Sequence, residues 1–346
     1  MRSYIADSAN DVWKQAVTEL LHDKDTLSVD SRNGPTREFL HAALTIRDPR
    51  NRWVVGRIPP LNPAFALAEV VWIMTGRNDT SFLSHWFPKY PQFVGYQPLQ
   101  HGAYGKRLRH HFGYDQLRQA ASALRNQPNS RQVVLQIWSC QDDLPLDDGV
   151  PRSPDIPCNL LSCIKTRNGR LEWMQVIRSN DVDRGVPHNI IQFTMLQELM
   201  AGWLGLELGS YVQISDSFHW YEKQSARLRI DYDVVPEQNT DHFRFSIDTC
   251  LQAFDVLADR MDQIIQSRKA GATPALPEPV LPQSFEHMFL IIAADDARRF
   301  GDISLANSLA ASCKNPLLLQ MWNRWMQSTT INSSIKSMPL REGLSL

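Results

Sequence analysis

Residues 155–189 read DIPCNLLSCIKTRNGRLEWMQVIRSNDVDRGVPHN. Two strand-like runs, Asn159 to Lys165 and Leu171 to Ile177, flank the segment Thr166-Arg167-Asn168-Gly169-Arg170. Asn-Gly between such runs is a strong hairpin signal, because the two-residue turn needs positive φ at both central positions. A hairpin brings the second strand back alongside the first, so Arg178 ends close to Cys158. A guanidinium there would hold the thiol as thiolate, its nucleophilic form. Cys140 and Cys163 fall within expected strands and read as inert core thiols.

Beyond the hairpin, Gly185-Val186-Pro187-His188-Asn189 opens an apolar helix running to about Leu204. Asn189 can be read as part of a helix cap. It can also be read as an amide offering donor and acceptor together to a base edge. Strand Tyr211 to Ser215 leads into Ser215-Asp216-Ser217-Phe218-His219-Trp220-Tyr221, where His219 and Tyr221 share one face of an extended segment. Each is alone more often a satisfied core residue.

Upstream, residues 9–22 carry apolar side chains at helical spacing, and 37–47 and 52–55 look like strands. Asn62 and Pro63 start a helix that runs to Thr75 and is ended by Gly76. Tyr114 to Asn126 reads as an amphipathic helix and Gln132 to Cys140 as a buried strand. Downstream, Asp248 to Ser267, Ser284 to Phe300 and Leu305 to Gln327 read as helices. The Pro-rich stretch Ala270 to Pro282 is the best candidate boundary. It separates a body of residues 1–269 from a linker and helical extension of 270–346. Strands and helices interleave without a regular βαβ rhythm, which points to a mixed α+β fold.

The 346 residues carry 36 basic and 37 acidic side chains, a formal charge of -1, so no bulk positive field is on offer to DNA or an anionic membrane. Phosphate binding must come from a local arginine cluster. No apolar run approaches the ~20 residues that span a bilayer, and the N-terminus turns polar too early for a signal peptide; a cytoplasmic location is the expectation. Five cysteines without CxxC pairing argue against a disulfide framework and a structural zinc. There is no GxGxxG after a strand, no GxxxxGK[ST], no HExxH and no GxSxG. His110-His111 reads as a solvated surface pair without a carboxylate partner, so no metal is expected.

Taken together, Cys158 after Pro157, R-S-x-D at 178–181, G-x-P-x-N at 185–189 and H-x-Y at 219–221 resemble thymidylate synthase in order and spacing. Glu69 in FALAEVVWIMTG resembles that family's catalytic glutamate, and Tyr104-Gly105-Lys106 its YGK segment. Ser130-Arg131 resembles its S-R-R segment, and Arg32 its mobile phosphate arginine, with Arg37 as the fallback. The resemblance runs from about residue 30 to 265. It implies a mixed sheet with packed helices, the sheet forming a homodimer interface.

The same resemblance implies transfer of a one-carbon unit from 5,10-methylenetetrahydrofolate to C5 of a pyrimidine nucleoside monophosphate through a Cys158 adduct at C6. Glu69 would sit in the hydrogen-bond network at O4, its pKa raised by burial, and Tyr104 would assist removal of the C5 proton. Arg32, Arg178, Ser179 and Arg131 would cradle the phosphate, Arg131 reaching across from the other subunit. His219 and Tyr221 would hold the sugar, Asn189 the base and Asp181 the pterin.

Some positions depart from the pattern. Asn159 stands for the usual His after the nucleophile, Gln132 for the second arginine of S-R-R, His188 for the usual Phe before Asn189, and Ser217 for Asp. A helical extension ending in Arg341-Glu342-Gly343-Leu344-Ser345-Leu346 stands where ordinary members have a short apolar tail that closes over the folate. Closure decides the product: hydride completes a methyl group, whereas water leaves a hydroxymethyl group. The leading expectation is dUMP to dTMP. The alternatives are a hydroxymethylase acting on dUMP, dCMP or CMP, and a nucleotide- or RNA-binding protein without turnover.

Overall fold

The computed structural model describes residues 1–224 and 227–337. Seven strands form one mixed sheet: β1 (Arg2–Ala6), β2 (Leu27–Val29), β3 (Thr36–Ile46), β5 (Val134–Gln136), β6 (Asn159–Arg167), β7 (Arg170–Asp181) and β8 (Glu207–Tyr221). The order is β1-β3-β8-β7-β6-β5, with β2 beside β3. β1 pairs with β3, and β7 with β8, in parallel; the other neighbours are antiparallel. The short pair β4 (Arg57–Ile58) and β9 (Arg229–Ile230) lies apart. The β6–β7 hairpin turns on Asn168 and Gly169 at φ 51° and 71°, the positive values that Asn-Gly tolerates.

Alternation assigns the faces. Trp173, Gln175, Ile177, Tyr211, Gln213, Ser215, Ala42, Leu44 and Ile46 are buried beneath α1 (Ala9–His22) and α8 (Gly185–Leu204). On the other face, Val134, Cys163, Met174, Val212, Thr45 and Ile5 form one register row across the sheet, and each is partly or fully exposed.

Helix α2 (Pro63–Met74) is held at its start by Asn62, whose Oδ1 accepts from the amides of Ala64 (2.9 Å) and Phe65 (3.2 Å). Pro63 occupies the first position, where a missing N–H costs nothing. Every α2 residue except Glu69 is buried. Short helices α3 (Thr80–Trp86), α4 (Pro91–Val94) and α5 (Tyr104–Lys106) follow, then a π-turn at Arg107–His111 and α6 (Gln116–Asn126). After α7 (Cys140–Asp143) and α8 come α9 (Ile247–Lys269), α10 (Gln283–Arg299), α11 (Ile303–Ser312) and α12 (Pro316–Ser337). Helix α10 packs on α2 and α9. Its buried Asp296 accepts from Arg268 at 2.7 Å and contacts His85 Nε2 at 2.8 Å.

Several expectations are corrected here. Residues 52–55 are buried but form no ladder; Arg52 instead donates into the buried Glu198. The strand expected over 132–140 shortens to three residues, because the amides of Ile137 and Trp138 both turn to Leu160 O and Ser139 starts α7. Cys140 is therefore exposed rather than a core thiol, and Cys163 is only half-buried. The helix expected over 305–327 is two helices, broken at Pro316, which lacks an amide proton; Asn315 Oδ1 accepts from Leu317 N at 3.1 Å. β1 escaped notice, and β8 is far longer than Tyr211 to Ser215, so the H-x-Y pair lies within it. His111 is half-buried and paired with Asp142 at 3.0 Å, not solvated. The tail 341–346 lies outside the described residues.

Candidate active site

Cys158 stands immediately before β6, with the Arg178 amide bonded to its carbonyl at 2.9 Å. The Arg178 side chain donates to the carbonyls of Pro157 (3.1 Å) and Ile156 (3.0 Å), and Arg32 donates to Pro154 O at 2.9 Å. Two guanidinium groups thus strap the loop that carries the sulfur. The carboxylate of Asp155, in the same loop, accepts from Gly102 N at 2.8 Å. The fallback Arg37 is tied to Thr26 Oγ1 at 2.7 Å.

The expectation of a resting thiolate needs correction. Burial pushes the Cys158 thiol above its ordinary pKa; Arg178 and Arg32 pull it down, Asp155 and Asp181 push it up, and the net direction is upward. Cys158 therefore rests as a thiol. Ionisation must accompany its attack or follow a change in the nearby charges.

Around the sulfur, Glu69 projects from the one unburied position of α2, and His188 Nδ1 meets its Oε2 in a very short contact. Tyr104 opens α5 close by. Its phenol is pushed well above the ordinary range, first by burial and then by charge on Cys158, so it is neutral at rest. Tyr104 can come this close because residue 105 is glycine: a Cβ there would meet Ile73 O at 2.6 Å.

Asn189 is buried at the start of α8, its amide engaged on both sides. Oδ1 accepts from Asn159 Nδ2 (3.0 Å), and Nδ2 donates to Asn180 Oδ1 (3.1 Å). Asp181 Oδ1 accepts from Asp183 N and Oδ2 from Arg184 N, closing the turn into α8. Burial, then the charge of Asp183, pushes its carboxyl up to about 6. Ser179 pairs in register with Ser217, and Asp181 with His219. His219 Nδ1 lies 3.1 Å from Ser217 Oγ, burial lowers its pKa, and its ring stands edge-on to Tyr221 at 5.4 Å.

Cys158, Arg178, Arg32, Glu69, Tyr104 and Asn189 are thereby linked in one cluster, with Ser179, Asp181, His219 and Tyr221 on the adjoining ends of β7 and β8. Arg131 is not brought to it. Ile164 N bonds Val133 O, so Arg131 lies at the hairpin-turn end of the sheet, roughly 25 Å from Cys158 at about 3.3 Å per residue. It is exposed and, among the described residues, has no hydrogen-bond or ion-pair partner in its own chain.

Asp155 and an aromatic group went unforeseen. Phe65 lies 5.1 Å from Phe87, 5.9 Å from Tyr90 and 5.4 Å from the His188 ring, and Phe87 stacks on Phe93 at 5.8 Å. The Arg184 guanidinium sits over Phe93 at 4.5 Å. Individually these residues look like core; only folding gathers them into a cluster of mutually tilted rings beside Glu69. Among the described residues no group of three His, Cys, Asp or Glu side chains is placed to hold a metal ion, and no helix is long and apolar enough to cross a membrane.

Deoxyuridylate hydroxymethyltransferase of Bacillus phage SP01 is 32% identical over 248 residues, 68% of this chain and 63% of that protein. The enzyme of the same name from Pseudomonas phage M6 is 34% identical over 215 residues, 61% of this chain and 60% of that protein. Thymidylate synthase of Clostridium beijerinckii is 32% identical over 117 residues, 34% of this chain and 42% of that protein. The chain thus spans less than two thirds of the length of these relatives. The family model described as thymidylate synthase matches residues 60–256, which hold Glu69, Tyr104, Cys158, Arg178 and Asn189, and the chain belongs to the thymidylate synthase family.

Proposed function

We propose that the chain transfers a one-carbon unit to C5 of dUMP, with Cys158 as nucleophile. The observation that carries this is a cysteine on a loop strapped by Arg178 and Arg32, with Glu69, Tyr104 and Asn189 linked to the same cluster. The Cys158 thiol releases its proton to solvent as Sγ bonds to C6 of the pyrimidine, and the displaced electron pair moves through C5 to O4; after the C5 proton has left, that pair returns, C5=C6 re-forms and Sγ is expelled. Glu69 and His188, already in contact, hold a proton where that charge gathers. Tyr104, neutral at rest, cannot serve alone as the base; it orients the acceptor that takes the C5 proton. Arg32, Arg178 and Ser179 receive the phosphate, whose two charges at neutral pH exceed what one guanidinium offsets, and Arg131 joins them from a partner subunit. His219 and Tyr221 hold the sugar.

The residues fit methylenetetrahydrofolate: the rings of Phe65, Phe87, Tyr90 and Phe93 offer an aromatic, apolar wall, and Asp181 offers a carboxyl near it. When bound, it supplies the one-carbon unit. The homodimer finds support in the apolar register row from Val134 to Ile5, left partly exposed by a single chain; such a band suits an isologous interface.

For the product, hydroxymethylation of dUMP replaces methylation as the lead. Two of the relatives are named deoxyuridylate hydroxymethyltransferases, and His188 places a polar ring where the family's usual Phe would exclude water. The named thymidylate synthase relative keeps dTMP as the second reading. Incubation with dUMP and methylenetetrahydrofolate decides: a product carrying an added CH2O, with no dihydrofolate absorbance, supports hydroxymethylation, whereas dTMP with equimolar dihydrofolate overturns it.

A further inference from the structure

Four side-chain amides run in single file beneath the site, all pointing the same way. Asn180 Nδ2 donates to Ser215 Oγ (2.9 Å), Asn189 Nδ2 to Asn180 Oδ1 (3.1 Å), Asn159 Nδ2 to Asn189 Oδ1 (3.0 Å) and Gln175 Nε2 to Asn159 Oδ1 (2.9 Å). Gln175 Oε1 then accepts from Ser162 Oγ (2.6 Å) and Trp173 Nε1 (3.3 Å). Every member is buried.

An amide is nearly symmetric in shape, so only its hydrogen bonds choose which end carries oxygen. The serine hydroxyls at the two ends accept or donate and tolerate either polarity. The Trp173 indole only donates. It therefore demands the Gln175 oxygen, which turns the Gln175 nitrogen towards Asn159, and the choice passes along the file to Asn189. Turning Asn189 alone would set nitrogen against nitrogen and oxygen against oxygen at two buried contacts. Turning the whole file would set the Gln175 nitrogen against the indole N–H.

We infer that Trp173 is a positioning residue that locks the Asn189 amide in one orientation and thereby sets the site's choice between uracil and cytosine; this rests on the proposed reading of Asn189 as the group that meets the base. Uracil presents N3–H and O4, a donor and an acceptor; cytosine presents N3 and N4–H2, the reverse. A freely turning asparagine serves both. A locked one opposes the second base, and two unmade buried hydrogen bonds correspond to about tenfold or more in affinity.

The test is the dissociation constants of dUMP and dCMP, measured by calorimetry for the wild type, Trp173→Phe, Gln175→Leu and the control Tyr211→Phe. Tyr211 loses a comparably buried hydroxyl contact, to Gln213 Oε1 at 3.0 Å, outside the file. The expected result is a wild-type preference of about tenfold or more for one base. It should fall to within about threefold in Trp173→Phe, chiefly because the disfavoured base gains, once Ser162 can satisfy either end of Gln175. The Tyr211→Phe ratio should stay at the wild-type value. Should Trp173→Phe fail to fold, Gln175→Leu, which cuts the same link, is read in its place. An unchanged ratio in a folded variant of the file, or a wild type that binds both bases equally, overturns the lock. A wild type that prefers dCMP keeps the lock while overturning dUMP as substrate, and one that binds neither nucleotide overturns the proposed function and the lock with it.

Discussion

At Cys158 the local field and the local burial oppose each other, and burial prevails. Arg178 moderates that outcome while also clamping two loop carbonyls, so one substitution removes both effects. In Arg178→Gln the alkylation rate of Cys158 by iodoacetamide, followed by peptide mass mapping to separate it from exposed Cys140, should need higher pH than in the wild type. The sign follows from the charge: without the guanidinium the thiolate loses its largest electrostatic stabiliser and the thiol pKa rises further. Loss of the charge-assisted bonds should also cost roughly 1–3 kcal/mol in stability. A profile that stays in place or moves to lower pH would remove Arg178 from the nucleophile's environment. Cys158 opposite Arg178 was legible in the sequence because an Asn-Gly turn fixes the register of a hairpin. The protonation state was not, because it depends on how deeply surrounding elements bury the sulfur.

Between elements, the approach of α5 to α2 decides whether Tyr104 and Glu69 share a site. Gly105 lies so close to Ile73 that any side chain must push the two apart. Gly105→Ala should therefore lower the melting temperature by the equivalent of about 1–3 kcal/mol, the range for overpacking. It should also slow turnover more than it weakens dUMP binding, since Tyr104 moves and the phosphate arginines do not; unchanged turnover would show that the contact is slack. Helix α2 itself was readable from Asn62, Pro63 and Gly76. Two kinds of element were not. Residues 52–55 have the composition of a strand, but they are buried outside the ladder, with Arg52 donating to Glu198. The break in the last helix rests on Asn315-Pro316, a stop signal that the apolar pattern around it hides.

In the whole molecule, the sheet buries one face under α1 and α8 and leaves the other as a largely apolar band, while Arg131 lies exposed at the far end of the sheet from Cys158. Both features fit a dimer in which each subunit completes the other's phosphate cradle, and that yields a mixing test. Cys158→Ala and Arg131→Ala homodimers should each be inactive. Refolded together in equal amounts they should regain about a quarter of wild-type activity, because half the dimers are mixed and each mixed dimer holds one intact site. No recovery would return Arg131 to its own chain or remove it from the site. Sheet pairing across non-consecutive strands, and the packing of α10 on α2, are long-range outcomes that no local pattern reveals; the order of motifs made the family legible without them. The most direct measurement is the intact mass of the protein after incubation with 5-fluoro-dUMP and methylenetetrahydrofolate. A stable adduct mapped to Cys158, absent in Cys158→Ala although that variant still binds dUMP reversibly, is the predicted result; no adduct, or one that survives the substitution, would contradict it.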